Sequence, residues 1–479
     1  MSTPDREPAQ SSTVRVMFAL LLPLFAALMS VSSIMVALPA IEDGLGAGSS
    51  DLQWVLTGYT LAFGVGMVPA GRAGDLWGRR RIFLAGVIVF GVSSLAAALS
   101  PNPLTLNILR VLMGLGASML VPQIIGMIQR LFTGNARGRA YGLMSTAIGL
   151  AVAVGPLVGG GLIDLAGGEH AWRMVFLVNI PVVLAGLVFA VLWLPRPQDD
   201  AEPAEAARGS RSLARLDPVG AVLLTVAMVL MMLPFIQFPS LFGVGLAALG
   251  LGLMVLWVYW EKRLGGRDPQ APMVNLKLFA LPSYTWNTAV LVLYFTGMPG
   301  IWAVVAIYIQ QGLGHGALLA GVVTLPSAAM VVLLAAQVGK RVERWGPRLL
   351  VIGSISAAVS MLMLAAAGWL MDTSYGSLWW VALALGVNGF SQALIIPSAQ
   401  TMSMQDVPEA MSGAAGGVAQ SAQRLFTSMG LAVVTATYFL FEAQADHQSG
   451  VVASSLTICA IMLLSVLGAL GAARRARRS

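Results

Sequence analysis

Some charged residues stand inside long apolar runs, where a charge must have a reason. Arg110 lies in the run 104–129, Arg424 in the run 413–441, and Asp164 at the end of the run 140–164. An ionisable side chain in a hydrocarbon-facing segment is costly, and it marks a proton relay, a gate or a ligand contact by default. Arg110 is about six residues from the nearer end of its run, or about 9 Å at the helical rise. It could therefore gate or couple to protons, or it could snorkel to the surface. Arg424 falls about twelve residues into its run, near mid-membrane. It could attract an anionic substrate group or a carboxylate from the other half of the chain, or bond backbone carbonyls, Gln420 and Gln423. Asp164 and Glu442 could each titrate or be solvated end residues. The coupling arrangement expected here is Arg110 with a water-linked Asp164.

Neutral polar and aromatic side chains supply the candidates for a substrate cavity: Ser30, Tyr59, Gln123, Asn287, Tyr294, Asn388 and Gln392. Each could equally hold two helices together. As a set they suit a neutral or weakly charged apolar compound and suit a dication poorly. A membrane enzyme would need clustered acids or histidines for acid–base or metal chemistry. His170, His315 and His447 fall in predicted loops without metal-ligand spacing, and the single cysteine, Cys459, sits in an apolar run. No catalytic residue, metal or cofactor is expected.

The elements that must position these residues are membrane spans. Of the 479 residues, 57% are hydrophobic and 10% charged, against about 25% charged in soluble proteins. That is too little polar side chain to cover a water-facing surface. The net charge of +7 is explained by loops facing an anionic leaflet rather than by nucleic acid. Spans need about 20 apolar residues. Fourteen such runs are read: 15–39, 52–70, 82–99, 104–129, 140–164, 174–194, 218–236, 240–260, 284–308, 317–338, 349–370, 377–400, 413–441 and 451–472. The first is too long for a signal-peptide core and lacks a cleavage site, so it is read as a retained span.

Lys and Arg cluster after even-numbered runs and at both ends of the chain, while acids dominate the opposite loops. The positive-inside rule then makes both termini cytoplasmic, in a bacterial-type inner membrane. One loop dissents: the connection around Asp406 and Glu409 has no cation. The expected organisation is a tail (1–13), a six-helix bundle (14–195), a charged linker (196–217), two inserted helices (218–260), a connector (261–283), a second six-helix bundle (284–473) and a basic tail (474–479).

An internal repeat relates the halves. GRAGDLWGRR (71–80) and GKRVERWGPR (339–348) both read Gly-x-x-x-acid-x-Trp-Gly-x-Arg, between the second and third spans of a six-span block. Glycines permit a tight turn and the acid can cap a helix or pair with a nearby Arg. The expected role is a conformational latch built from Gly71, Asp75, Gly78, Arg79 and Arg80 and from Gly339, Glu343, Gly346 and Arg348. Two related halves about a central axis are what alternating access uses. In the fifth span, Gly155, Pro156, Gly159 and Gly160 form a small-residue, bendable seam with no counterpart in the thirteenth.

GRAGDLWGRRRIF resembles the loop signature of the major facilitator superfamily, with Ala73 where Leu is usual and Leu76 where a basic residue commonly follows the acid. Arg110 to Ala117 is similar to the family's Arg-x-x-Gln-Gly-x-Gly pattern, with Met113 in place of Gln. GPLVGG (155–160) resembles the element associated with antiporters that export. WRMVFLVNIP (172–181), the inserted helices, PMVNLKLF (272–279) and QSAQRLFTSMGLA (420–432) extend the likeness over nearly the whole chain.

The resemblance is to the fourteen-span drug/proton antiporter branch. It implies an all-α membrane protein of the major facilitator fold that exports small hydrophobic or amphipathic compounds against protons, working in the lipid bilayer; a monomer would suffice. The chain departs from the family in span 1, where Ser30 stands at the usual Asp and Met35 at the usual Asn. Burial raises a carboxyl pKa towards neutrality, which makes the missing Asp the natural proton carrier. Its absence keeps open a uniporter or importer without proton coupling, and a transport-dead sensor.

Overall fold

A computed structural model describes residues 10–195, 216–236, 241–268, 271–315, 317–371 and 376–476. Most of the expected linker, the tail ahead of residue 10 and the last three residues lie outside this set. Among the described residues there is no strand. Hydrocarbon offers no hydrogen bonds to a backbone, so each apolar run satisfies its own amides by forming a helix.

Fourteen helices are long and apolar enough to cross a membrane. The first six are Val14–Leu45, Ser50–Trp77, Arg79–Ala98, Pro103–Leu131, Gly134–Ala166 and Ala171–Trp193. Spans 7 and 8 are Pro218–Phe235 and Phe242–Arg267. Spans 9 to 14 are Pro282–Gly312, Leu319–Gly339, Val342–Leu370, Leu378–Ser403, Glu409–Gln444 and His447–Arg474. The number matches the sequence reading, but span 4 is not one rod. It breaks between Ser118 and Val121, with Pro122 in the first turn of the second segment, because a proline has no amide to continue the preceding ladder.

The core is divided as the repeat requires. One cluster of buried side chains is drawn mainly from spans 1 to 6, and another from spans 9 to 14. A third, smaller cluster joins Leu224, Met228, Met232 and Trp257 of the inserted helices to Leu61, Val65 and Val68 of span 2 and Leu425 of span 13. The inserted pair therefore leans on the seam between the halves. The main helix contacts across that seam are span 2 with span 13 and span 5 with span 10. The repeat exchanges span 2 with 10 and span 5 with 13, so the two contacts are pseudo-twofold equivalents.

Candidate functional site

The first repeat loop bridges the halves. Span 2 ends at Gly78, whose φ of +100° only glycine adopts readily. Asp75, one turn earlier, accepts hydrogen bonds from the amides of Gly413 (3.1 Å) and Ala414 (2.8 Å) in the first turn of the helix of span 13. A carboxylate there satisfies orphan amides and meets the positive end of the helix dipole. Arg79 pairs with Asp75 at 3.3 Å and donates to Gly126 O, to Ser412 Oγ at 2.8 Å and to the carbonyl of Glu409. Arg80 turns away to the carbonyl of Val191 in span 6. Gly71 faces Gly413 so closely that a β-carbon would collide with its carbonyl.

The second loop occupies the equivalent place. Gly339 and Gly138 meet backbone to backbone, and the Glu343 carboxylate lies beside Gly134, in the first turn of span 5. Glu343 is exposed and Arg348 lies over Trp345 at 4.9 Å, so this side has the same layout with a looser polar cluster. Gly346 is buried against Met402. The dissenting loop is also accounted for. Glu409 sits 3.7 Å from Arg130 while its carbonyl takes Arg79; the first half supplies the cations that this loop lacks.

Above this seam the two intramembrane arginines flank an aromatic pair of span 2. Arg110 is fully buried and does not snorkel. Its Nε donates to Val55 O (2.9 Å), its Nη1 to Ser30 Oγ (3.2 Å), and its guanidinium covers the Tyr59 ring at 4.4 Å. Its Nη2 has no partner. Arg424, from the other half, lies over the Phe63 ring at 4.7 Å. The Tyr59 and Phe63 rings are 5.9 Å apart, and Tyr59 is anchored through its hydroxyl to Ala27 O. Ser30, Tyr59, Arg110 and Arg424 are thus brought into one neighbourhood.

The other candidates separate. Gln123 is buried lower down, donating to Ala70 O of span 2. Tyr294 and Asn388 are buried within the second half, Asn388 against the sulfur of Met298. Asn287 bonds Ser283 of its own helix, and Gln392 is partly buried. Asp164 is exposed at the end of span 5, apart from the bonds that hold Arg110. Gly155 and Gly159 lie against Ser32 and Ser33 of span 1, closing the expected seam, while Gly160 has ordinary contact with Val36. Pro156 lies inside this helix.

Sequence reasoning missed one pair of acids. Asp217 and Glu261 are 3% and 1% exposed at the near ends of spans 7 and 8. Asp217 accepts from Trp260 Nε1 and Gly220 N, and Glu261 accepts from Val274 N of the connector. The signal was present, one acid at each end of the inserted hairpin, but Glu261 was hidden beside Lys262 and Arg263.

The repeat, the exchanged contacts and the bridging loop agree with comparison to known proteins. The family model described as Major Facilitator Superfamily matches residues 20–431. The chain belongs to the major facilitator superfamily. It is 31% identical over 412 residues to the probable actinorhodin transporter of Streptomyces coelicolor, covering 84% of this chain and 68% of that protein. It is also 31% identical to the tetracenomycin C resistance and export protein of Streptomyces glaucescens, covering 83% and 71%. Relatives of this kind and the fourteen helices place it in the superfamily's fourteen-span drug-efflux branch. In fold it resembles the proton:xylose symporter XylE, with a TM-score of 0.67, 15% identity, and 96% and 95% of the two chains covered.

Proposed function

We propose that this major facilitator protein exports small hydrophobic or amphipathic compounds by alternating access, most simply by proton antiport. The observation that carries this reading is the seam at the basic-loop end, where Asp75 caps the first turn of span 13 and Arg79 fastens the same joint. Such a joint is short, polar and reversible, so it can hold one state and release another. The relative named a tetracenomycin C resistance and export protein supports export as the direction of transport. In this reading both termini and the repeat loops face the cytoplasm of an inner membrane, residues 14–195 and 284–473 rock as two bodies, and one chain suffices.

Ser30 favours a second reading, uniport without protons, because the partner of Arg110 is a hydroxyl that does not titrate. Counterflow in proteoliposomes, with and without an imposed proton gradient, separates the two. Uphill efflux only with the gradient supports antiport; exchange indifferent to it supports uniport. Neither exchange nor efflux of any amphipathic compound would end the export reading.

A further inference from the structure

Among the described residues no acid balances the two arginines. Among the described residues the buried carboxylates are those of Asp75, Asp217 and Glu261. All three lie at the basic-loop end, in the last turn of span 2, just ahead of span 7 and in the last turns of span 8. None accompanies Arg110 or Arg424. A buried guanidinium without a counter-charge is expensive, and backbone carbonyls and an aromatic face offset only part of that cost. Arg110 keeps one nitrogen wholly buried and unbonded. An orphan donor of this sort calls for a partner outside the resting chain.

The position of Arg424 says where such a partner would enter. The bonds that join the halves here, Asp75 with Gly413 and Ala414, Arg79 with Ser412, Gln129 with Met404 and Ser421 with Gly64, all lie on the basic-loop side of it. Arg424 is one helical turn beyond Ser421, partly exposed, with its β-carbon near Gly64 and Met232 of span 7 alongside. It therefore stands just beyond the last of these bonds. Phe63 and Tyr59, both buried, lie between it and Arg110.

We propose that the transported compound is an amphipathic organic anion whose carboxylate, phenolate or sulfonate is held by Arg424 and Arg110 while its apolar body lies along Tyr59 and Phe63. This rests on the export reading and names the substrate class of the same site. It also accounts for Ser30. An Asp there would neutralise Arg110 and compete with the substrate, whereas a hydroxyl orients the guanidinium and leaves its charge for the ligand. An anion leaving an interior-negative compartment is moreover driven outward by the potential itself, so the missing carboxylate is no handicap.

The test uses the full chain in lipid nanodiscs and proteoliposomes with three matched fluorophores: 1-pyrenebutyrate, its methyl ester and 1-pyrenebutyl-trimethylammonium. The anion should bind at least tenfold more tightly than the ester or the cation. Arg424→Gln should remove that preference while leaving ester binding within about twofold, and Arg424→Lys should restore part of it. Ester binding serves as the check that the variants are folded. Equal binding of anion and ester, or an equal loss of both in Arg424→Gln, overturns the proposal. So does full displacement of the anion by millimolar chloride, which would make this a site for inorganic anions. Counterflow of the ester or the cation but not the anion would leave export standing and refute the substrate class. Counterflow of none of the three would refute both.

Discussion

Asp75 accepts the amide of Ala414 at 2.8 Å, across the boundary between the two halves of the protein. A residue near the end of span 2 thereby serves as the cap of span 13. In the proposed export cycle this bond breaks when the halves open at this end and re-forms when they close.

Replacing Asp75 tests that coupling. Removing a capping side chain costs about 0.5–2 kcal/mol of local stability. Asp75→Ala should make the joint open more often, raise labelling of a cysteine placed at Val407, which is buried against the first half, and lower efflux several-fold without loss of folded protein. Unchanged labelling would show that the cap is not what holds the seam.

Ser30 offers a change in the opposite sense. Ser30→Asp places a carboxylate on a guanidinium that now lacks one, and an Asp beside Arg is a strong charge-assisted pair. The variant should melt at a higher temperature, while affinity for an acidic amphipath falls about tenfold. Ser30→Ala should instead destabilise by about 1–3 kcal/mol, the usual cost of stranding a buried polar group. Thermal unfolding followed by tryptophan fluorescence, with and without probe, reads both.

Gly155 tests the span 5 seam. A β-carbon there would meet Ser32 Oγ and lie 2.9 Å from the carbonyl of Met29. Gly155→Ala should therefore cost about 1–3 kcal/mol by overpacking, and Gly155→Leu should abolish transport. Gly161→Ala, with open space around it, is the control and should behave as the parent in both assays.

Glu261 ties span 8 to the connector through the amide of Val274 at 3.3 Å. Glu261→Ala strands that amide and should lower the melting temperature by several degrees, about 1–3 kcal/mol for one buried donor left unpaired. Binding of the pyrene probes should stay within twofold. A selective loss of binding would move the acid pair into the transport site.

Much of this was readable from residues alone, for a physical reason. Span number follows from runs of about twenty apolar residues, and the repeat is carried by glycines and acids whose spacing is local. The break at Met119 could have been anticipated from Pro122. What sequence could not give was which intramembrane residues meet. Depth along one helix places Arg110, but its environment is made by Ser30, Val55 and Tyr59 of two others. Gln420 and Gln423 are the neighbours that the sequence offers Arg424, yet it lies over Phe63 of the opposite half. Asp164 was joined to Arg110 on chemistry alone, and the structure puts it at an exposed helix end. Long-range neighbours of this kind depend on helix rotation and tilt, which packing decides.

The proposed rocking of two halves about the two intramembrane arginines is best tested by double electron–electron resonance on spin labels in proteoliposomes, with the buried Cys459 replaced by Ser. One pair, at exposed Asn135 and Arg344, spans the basic-loop end; the other, at half-buried Asp51 and exposed Asp446, spans the opposite end. Rocking requires that a transported substrate lengthen the first distance as it shortens the second. Distances that change together, or that ignore a substrate the same vesicles transport, would contradict it.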